Sequence, residues 1–128
     1  WKPIYEASKR GGVILVAGLG LGVVTSAILR ECENVTQVIV IEKSSEVIEL
    51  VGKHLEKEFG KRLQIINDDI FEWKVPRGSR YTVAWFDIWN NICGDNTKDM
   101  SKLKRKFGRK ADWKGCWREE TCRDANRR

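Results

Sequence analysis

The residues whose types and spacing could do chemistry are three alternating glycines, Gly18, Gly20 and Gly22, and the acids Glu42, Asp68, Asp69 and Asp87. Alternating glycines let the backbone pass close to a ligand and turn into a helix N-terminus, where unpaired N–H groups face outward. The spacing reads GxGxG. The dinucleotide fingerprint GxGxxG needs a glycine where Val23 stands, so a smaller ligand without a pyrophosphate fits better. Glu42 comes 24 residues after Gly18. A carboxylate at that place can accept two hydrogen bonds from a ribose diol, or it is simply an exposed acid leading a helix. Asp69 can accept from the exocyclic amine of an adenine while Ile70 packs on the ring, and Asp68 rivals it for that role.

These residues need elements to hold them, and the apolar pattern supplies them. Residues 13–17 (VILVA), 35–41 (VTQVIVI), 63–67 (LQIIN) and 81–86 (YTVAWF) are short and β-branched or aromatic, as buried strands are. Helical spacing falls between them, at 22–32 and from Ser44 or Ser45 to about Phe59, with Val47, Ile48, Leu50, Val51 and Leu55 expected on the inner side. Strands alternating with helices predict an α/β fold, a three-layer Rossmann-like parallel sheet of about four strands with flanking helices. Ligands of such sheets bind outside the carboxyl ends of the strands. All four runs end there in glycine or acid, at Gly18, Glu42, Asp68-Asp69 and Asp87.

Composition narrows the class. The 128 residues are 41% hydrophobic and 33% charged, one soluble domain with no room for a separate substrate domain. Lys and Arg number 24 against 18 Asp and Glu, and residues 1–94 hold 12 of each sign, so the whole excess lies in residues 95–128. The expected organisation is therefore a core at 1–94 and a basic, Trp- and Cys-containing helical tail at 95–128 packed on it. Met100, Leu103 and Phe107 would face inward from a helix at about 97–107, with loop or short helix after Gly108 anchored by Trp113 and Trp117. The basic tail suits an anionic partner or a solvated face. Its cations, Lys102, Lys104, Arg105, Lys106, Arg109 and Lys110 among them, are spread too widely for one phosphate-tracking stripe.

Residues 11–29 carry no charge, long enough for a short membrane span, but the glycines in the middle would weaken a lone helix. No membrane association is expected. Cys32, Cys93, Cys116 and Cys122 form no CxxC pair and the single histidine is His54. Free thiols in a reducing cytoplasm are expected, ahead of a zinc site from Cys93, Cys116 and Cys122. The chain opens at Trp1, so a fragment of a longer protein is expected.

Taken in order, VILVAGLGLG, VIVIE, IINDDIFEW and WFDIW resemble the class I S-adenosylmethionine-dependent methyltransferases, with a flavour similar to the spermidine-synthase-like branch. The resemblance covers residues 11–94. It implies S-adenosylmethionine as cofactor, with S-adenosylhomocysteine as product. Gly18, Gly20 and Gly22 would back its methionine part, Glu42 would hold its ribose and Asp69 its adenine with Ile70 on the ring, and Leu19 and Lys43 would also contact the cofactor. Asp87 would meet the methionine end, with Ile88 and Trp89 toward the substrate. Asp87 is the one acid placed to act as general base, unless it only orients its loop; Trp89 could stack on a flat ligand, unless it packs in the core. Two features depart from the family: Val16 stands where an acid often precedes the first glycine, and the last strands of the usual seven are lacking. The implied reaction is methyl transfer to an unidentified acceptor, a small molecule ahead of nucleic acid because no NPPY-like segment follows the fourth strand. Alternatives are a non-catalytic cofactor-binding or scaffold module, and an aminopropyltransferase-like polyamine enzyme, which the basic tail opposes. An exposed sheet edge could pair in a homo-oligomer.

Overall fold

The computed structural model describes residues 2–89, 94 and 96–127, the side chains of the last two of these excepted. Helix α1 (Lys2–Arg10) leads into β1 (Gly12–Ala17), followed by α2 (Val23–Glu31) and β2 (Val35–Glu42). A helical stretch then runs through α3 (Ser45–Val47), a π turn (Ile48–Gly52), α4 (Lys53–Phe59) and a 3-10 turn (Gly60–Arg62) into β3 (Leu63–Asn67). After β4 (Tyr81–Phe86) come α5 (Asn96–Lys106), β5 (Ala111–Cys116) and α6 (Glu119–Arg127).

The strands form one parallel sheet in the order β3-β2-β1-β4-β5. β1 lies at the centre, and its last four residues are buried on both faces. Its alternation sorts the core in two. Ile14 and Val16 pack with Ile28, Leu29, Val38, Val40, Leu55 and Val83 beneath α1, α2 and α4. Leu15 and Ala17 pack with Ile41, Phe86, Met100, Leu103 and Phe107 beneath α5 and α6. The chain builds outward from β1 to β3 on one side and through β4 to β5 on the other. The strand order therefore reverses between β1 and β4, which is where such sheets open a crevice at their carboxyl ends.

Two expectations are corrected. The sheet has five strands, not about four. The fifth comes from the segment expected as loop or short helix, because ADWKGC has no strand-like run of its own and is held by pairing with β4. Trp85 pairs with Gly115, and the Trp113 ring folds over that glycine, where an added Cβ would come within 2.5 Å of it. The Trp85 and Trp113 rings stack at 6.3 Å and 8°, so an indole fills the space that a strand glycine leaves empty. Second, Leu50 is not on the inner side but 79% exposed. The π turn inserts a residue into the helical count and rotates Leu50 outward. At its end Gly52 sits so close to β3 that a Cβ would meet Ile65 at 3.0 Å.

The charge-free stretch at 11–29 is divided between β1, the glycine loop and α2, and among the described residues no helix is long and apolar enough to cross a membrane.

Candidate functional site

At the carboxyl edge the strand ends converge as their sequence positions anticipate. The Gly18 N–H donates to Ile41 O at 2.9 Å, the Asp87 N–H to Ala17 O at 2.7 Å and the Asp68 N–H to Glu42 O at 3.1 Å. These bonds carry the ladder past the last paired residues and hold all four ends together.

Gly18 has φ +96°, and a Cβ there would lie 2.2 Å from the Asp87 carbonyl oxygen. Only glycine lets β1 and β4 close this tightly. Gly20, at φ +53°, has nothing within 4 Å of where a Cβ would stand, so its backbone faces open space. Gly22 caps α2 with φ 79°, and a Cβ on it would meet Leu55 at 2.7 Å. The three glycines thus divide the work: 18 and 22 let neighbours approach, and 20 leaves room.

Glu42 organises the loop. Its Oε1 accepts from the Leu19 N–H at 2.7 Å and its Oε2 from the Ser44 N–H at 2.9 Å. Each carboxylate oxygen has two acceptor sites, so each keeps one for a further donor. Ser44 in turn caps α3, its Oγ accepting from the Val47 N–H at 3.2 Å. Lys43 is exposed and reaches Asp69 at 3.7 Å. Lys43, expected at the cofactor, thus turns its side chain toward the carboxylate of Asp69.

Beyond β3 the chain makes a tight turn. The Asp69 N–H donates to Asp68 Oδ1 at 2.7 Å, and Asp69 Oδ1 accepts from the Phe71 N–H at 2.9 Å. Asp68 is thereby tied to the backbone of its rival. Ile70 is 3% exposed and packs into the core with Trp73.

After β4, Asp87 is half-buried. Burial pushes its carboxyl above the ordinary range, partly opposed by the Trp85 indole N–H beside it. That N–H is itself buried and makes no hydrogen bond of ordinary geometry among the described residues. Ile88 is 39% exposed, and Trp89 packs against the α5 side of the core. Asp87 also borders a groove of about 880 Å³ lined by Trp85, Trp113, Trp117, Val23 and Glu119. This groove is not legible in the sequence because most of its lining comes from β5, α6 and the two residues between them; Trp113 and Trp117 were the available signal.

The arrangement fits S-adenosylmethionine on its own geometry. Open space stands over Gly20, two acceptor sites remain on Glu42, and a carboxylate and a buried aliphatic follow β3. The zinc alternative included Cys93, which lies outside the described residues. Cys116 and Cys122 are buried, and among the described residues no group of three metal-ligating side chains occurs.

The comparisons agree on the fold. The family model described as PRMT5 arginine-N-methyltransferase matches residues 1–91. A dimethyladenosine transferase from Plasmodium falciparum superposes with a TM-score of 0.60 at 24% identity, covering 84% of this chain and 35% of that one. An S-adenosylmethionine-dependent methyltransferase from Clostridium acetobutylicum gives 0.58 at 12% identity, covering 84% and 43%. A 23S rRNA methyltransferase gives 0.52 at 17%, covering 71% and 36%. At these identities the likeness is one of fold, and the chain spans less than half the length of each of these structures. No curated protein matches the chain.

Proposed function

Because the chain belongs to the PRMT5 arginine-N-methyltransferase family, we propose that it binds S-adenosylmethionine across the carboxyl edge of its sheet and directs the methyl group to a nitrogen of a protein arginine. The observation that carries this is the desolvated Asp87 at the β1/β4 crevice, beside the tryptophan groove. The spermidine-synthase flavour draws no support from the family match, and the small-molecule acceptor expected from sequence gives way here to a guanidinium.

The cofactor supplies an activated methyl group, so the protein's task is alignment. Gly18, Leu19, Gly20 and Gly22 form the floor under the methionine part. Glu42 takes the ribose hydroxyls on its remaining acceptor sites, with Lys43 alongside. Asp69 takes the adenine amine, with Ile70 beneath. On the acceptor side, a guanidinium presents paired N–H donors that match a carboxylate two by two. Its arrival would favour the ionised form of Asp87, which is then placed to orient the nitrogen and receive the proton it sheds. Ile88, the exposed apolar residue that follows, and Trp89 shape that end of the site.

One observation favours a second reading, a non-catalytic cofactor-binding module. Glu119 is engaged by Lys104 at 2.7 Å and Arg123 at 2.8 Å, and Glu120 by Lys2 at 2.7 Å. Among the described residues lining the groove, Asp87 is left as the one acid outside an ion pair.

Calorimetric titration of S-adenosylmethionine and S-adenosylhomocysteine, with Glu42→Ala and Asp69→Ala as controls, tests the cofactor site. Transfer of labelled methyl to arginine-containing peptides, with single-stranded RNA offered in parallel, tests the acceptor. Binding lost in both variants together with labelling of arginine supports the proposal. Binding without labelling of any acceptor favours the module, labelled RNA reassigns the acceptor, and no binding refutes both readings.

A further inference from the structure

The turn after β3 is clamped from two sides, and one clamp comes from the basic tail. The Glu72 and Trp73 N–H groups donate to Asp69 O at 2.9 and 2.7 Å, and the Phe71 N–H donates to Asp69 Oδ1. The carbonyls of the same turn point the other way and need donors. Lys106, the last residue of α5, provides them: its Nζ donates to Ile70 O at 2.7 Å, Phe71 O at 3.1 Å and Trp73 O at 2.7 Å. An ammonium has three protons, so all of its donors are spent on this one turn.

The surroundings explain why a half-buried cation is tolerated there. Burial pulls the Lys106 ammonium below its usual range, while Glu72, Asp68 and Asp69 hold it charged, and Lys102 on the same helix opposes them. Lys102 itself rests 5.6 Å over the Phe71 ring, a second contact from α5 to the turn. Met100, Leu103 and Phe107, fully buried, fix the helix and hence the place of the ammonium.

We infer that Lys106 is a positioning residue for the nucleobase end of the cofactor site, closing the 69–73 turn from below so that Asp69 and Ile70 present one fixed geometry to the adenine. The inference rests on the cofactor reading above. It also takes one cation of the basic tail away from any anionic partner, since its donors are turned inward.

The test is a double-mutant cycle on S-adenosylhomocysteine affinity by calorimetry, using the full chain as wild type, Lys106→Met, Asp69→Ala and the double variant. Methionine keeps the length and packing of the lysine stem and removes its donors. Lys106→Met is expected to weaken binding about tenfold, and to cost nothing further in the Asp69→Ala background, because coupled residues are not additive. In a Glu42→Ala background it should still cost about tenfold, since that residue holds the ribose and not the adenine. Lys106→Arg, which keeps a charged donor toward the turn, should restore part of the affinity and serves as the probe if Lys106→Met does not fold. Equal losses from Lys106→Met with and without Asp69 would reduce it to a stability residue and overturn the inference. So would wild-type affinity in a folded Lys106→Met where Asp69→Ala weakens binding. If Asp69→Ala itself binds as wild type does, the adenine assignment fails first, and the inference with it.

Discussion

Replacing Gly18 and Gly20 by alanine separates structure from binding within a single loop. At Gly18 the new Cβ would stand 2.2 Å from the Asp87 carbonyl oxygen and 2.8 Å from its carbon, both backbone atoms that cannot swing aside. The φ of +96° adds strain of about 1–2 kcal/mol for any residue with a side chain. Relief requires the ends of β1 and β4 to part, which breaks the 2.7 Å bond from the Asp87 N–H to Ala17 O and costs about 1 kcal/mol more. Gly18→Ala should therefore lose about 2–3 kcal/mol, or about 8–12 °C in Tm for a domain of this size. At Gly20 nothing lies within 4 Å and φ is +53°, so Gly20→Ala should cost only about 1 kcal/mol. Its methyl group enters the open space where the cofactor's methionine part would lie, so cofactor affinity should fall while the protein stays folded. Scanning calorimetry and titration at 20 °C read the two effects. Equal melting temperatures for the two variants would refute the close-approach argument, and unchanged affinity in Gly20→Ala would remove the cofactor from that space.

Other outcomes follow from the same geometry. Burial raises the Asp87 carboxyl in the folded chain, so between its ordinary and its raised value the native state binds more protons than the unfolded one, and stability falls as pH rises through that window. Asp87→Asn should melt higher than wild type above the window and show a flatter dependence of Tm on pH; under the proposed function, methyl transfer to arginine should also drop by about 10²-fold or more. A steeper pH dependence in the variant would contradict this. Cys116 is buried with its thiol pushed up to about 12, and Cys32 and Cys122 are buried too. Mapped by mass spectrometry, these three should resist a thiol reagent at pH 8 until denaturant is added. Phe107 is fully buried against Phe86, ring centroids 5.5 Å apart, so Phe107→Ala should cost about 3–5 kcal/mol and lower the single melting transition of the whole chain. A core that melts unchanged would mean that residues 95–128 are not integral to it.

The parts legible in the sequence are those carried by local pattern. Buried parallel strands need continuous apolar runs, so β1 to β4 announced themselves, and the acids at their ends had to meet because a parallel sheet gathers all carboxyl ends on one edge. Glycine at 18, 20 and 22 declared a turn with close approach, since no other residue adopts those angles cheaply.

What the tertiary structure decided has no local signature. Residues 111–116 have the composition of a loop and become β5 only because β4 offers an edge and Trp113 can lie across Gly115. Leu50 faces solvent because a π turn forms where Gly52 presses against β3, a demand set by Ile65, thirteen residues further on. Lys106 reads as one more cation of a basic tail until the fold brings three carbonyls from residues more than thirty positions earlier around its ammonium. Sequence records apolar period and backbone permission; which distant donors and acceptors come to face each other depends on the packing of elements that the period alone does not orient.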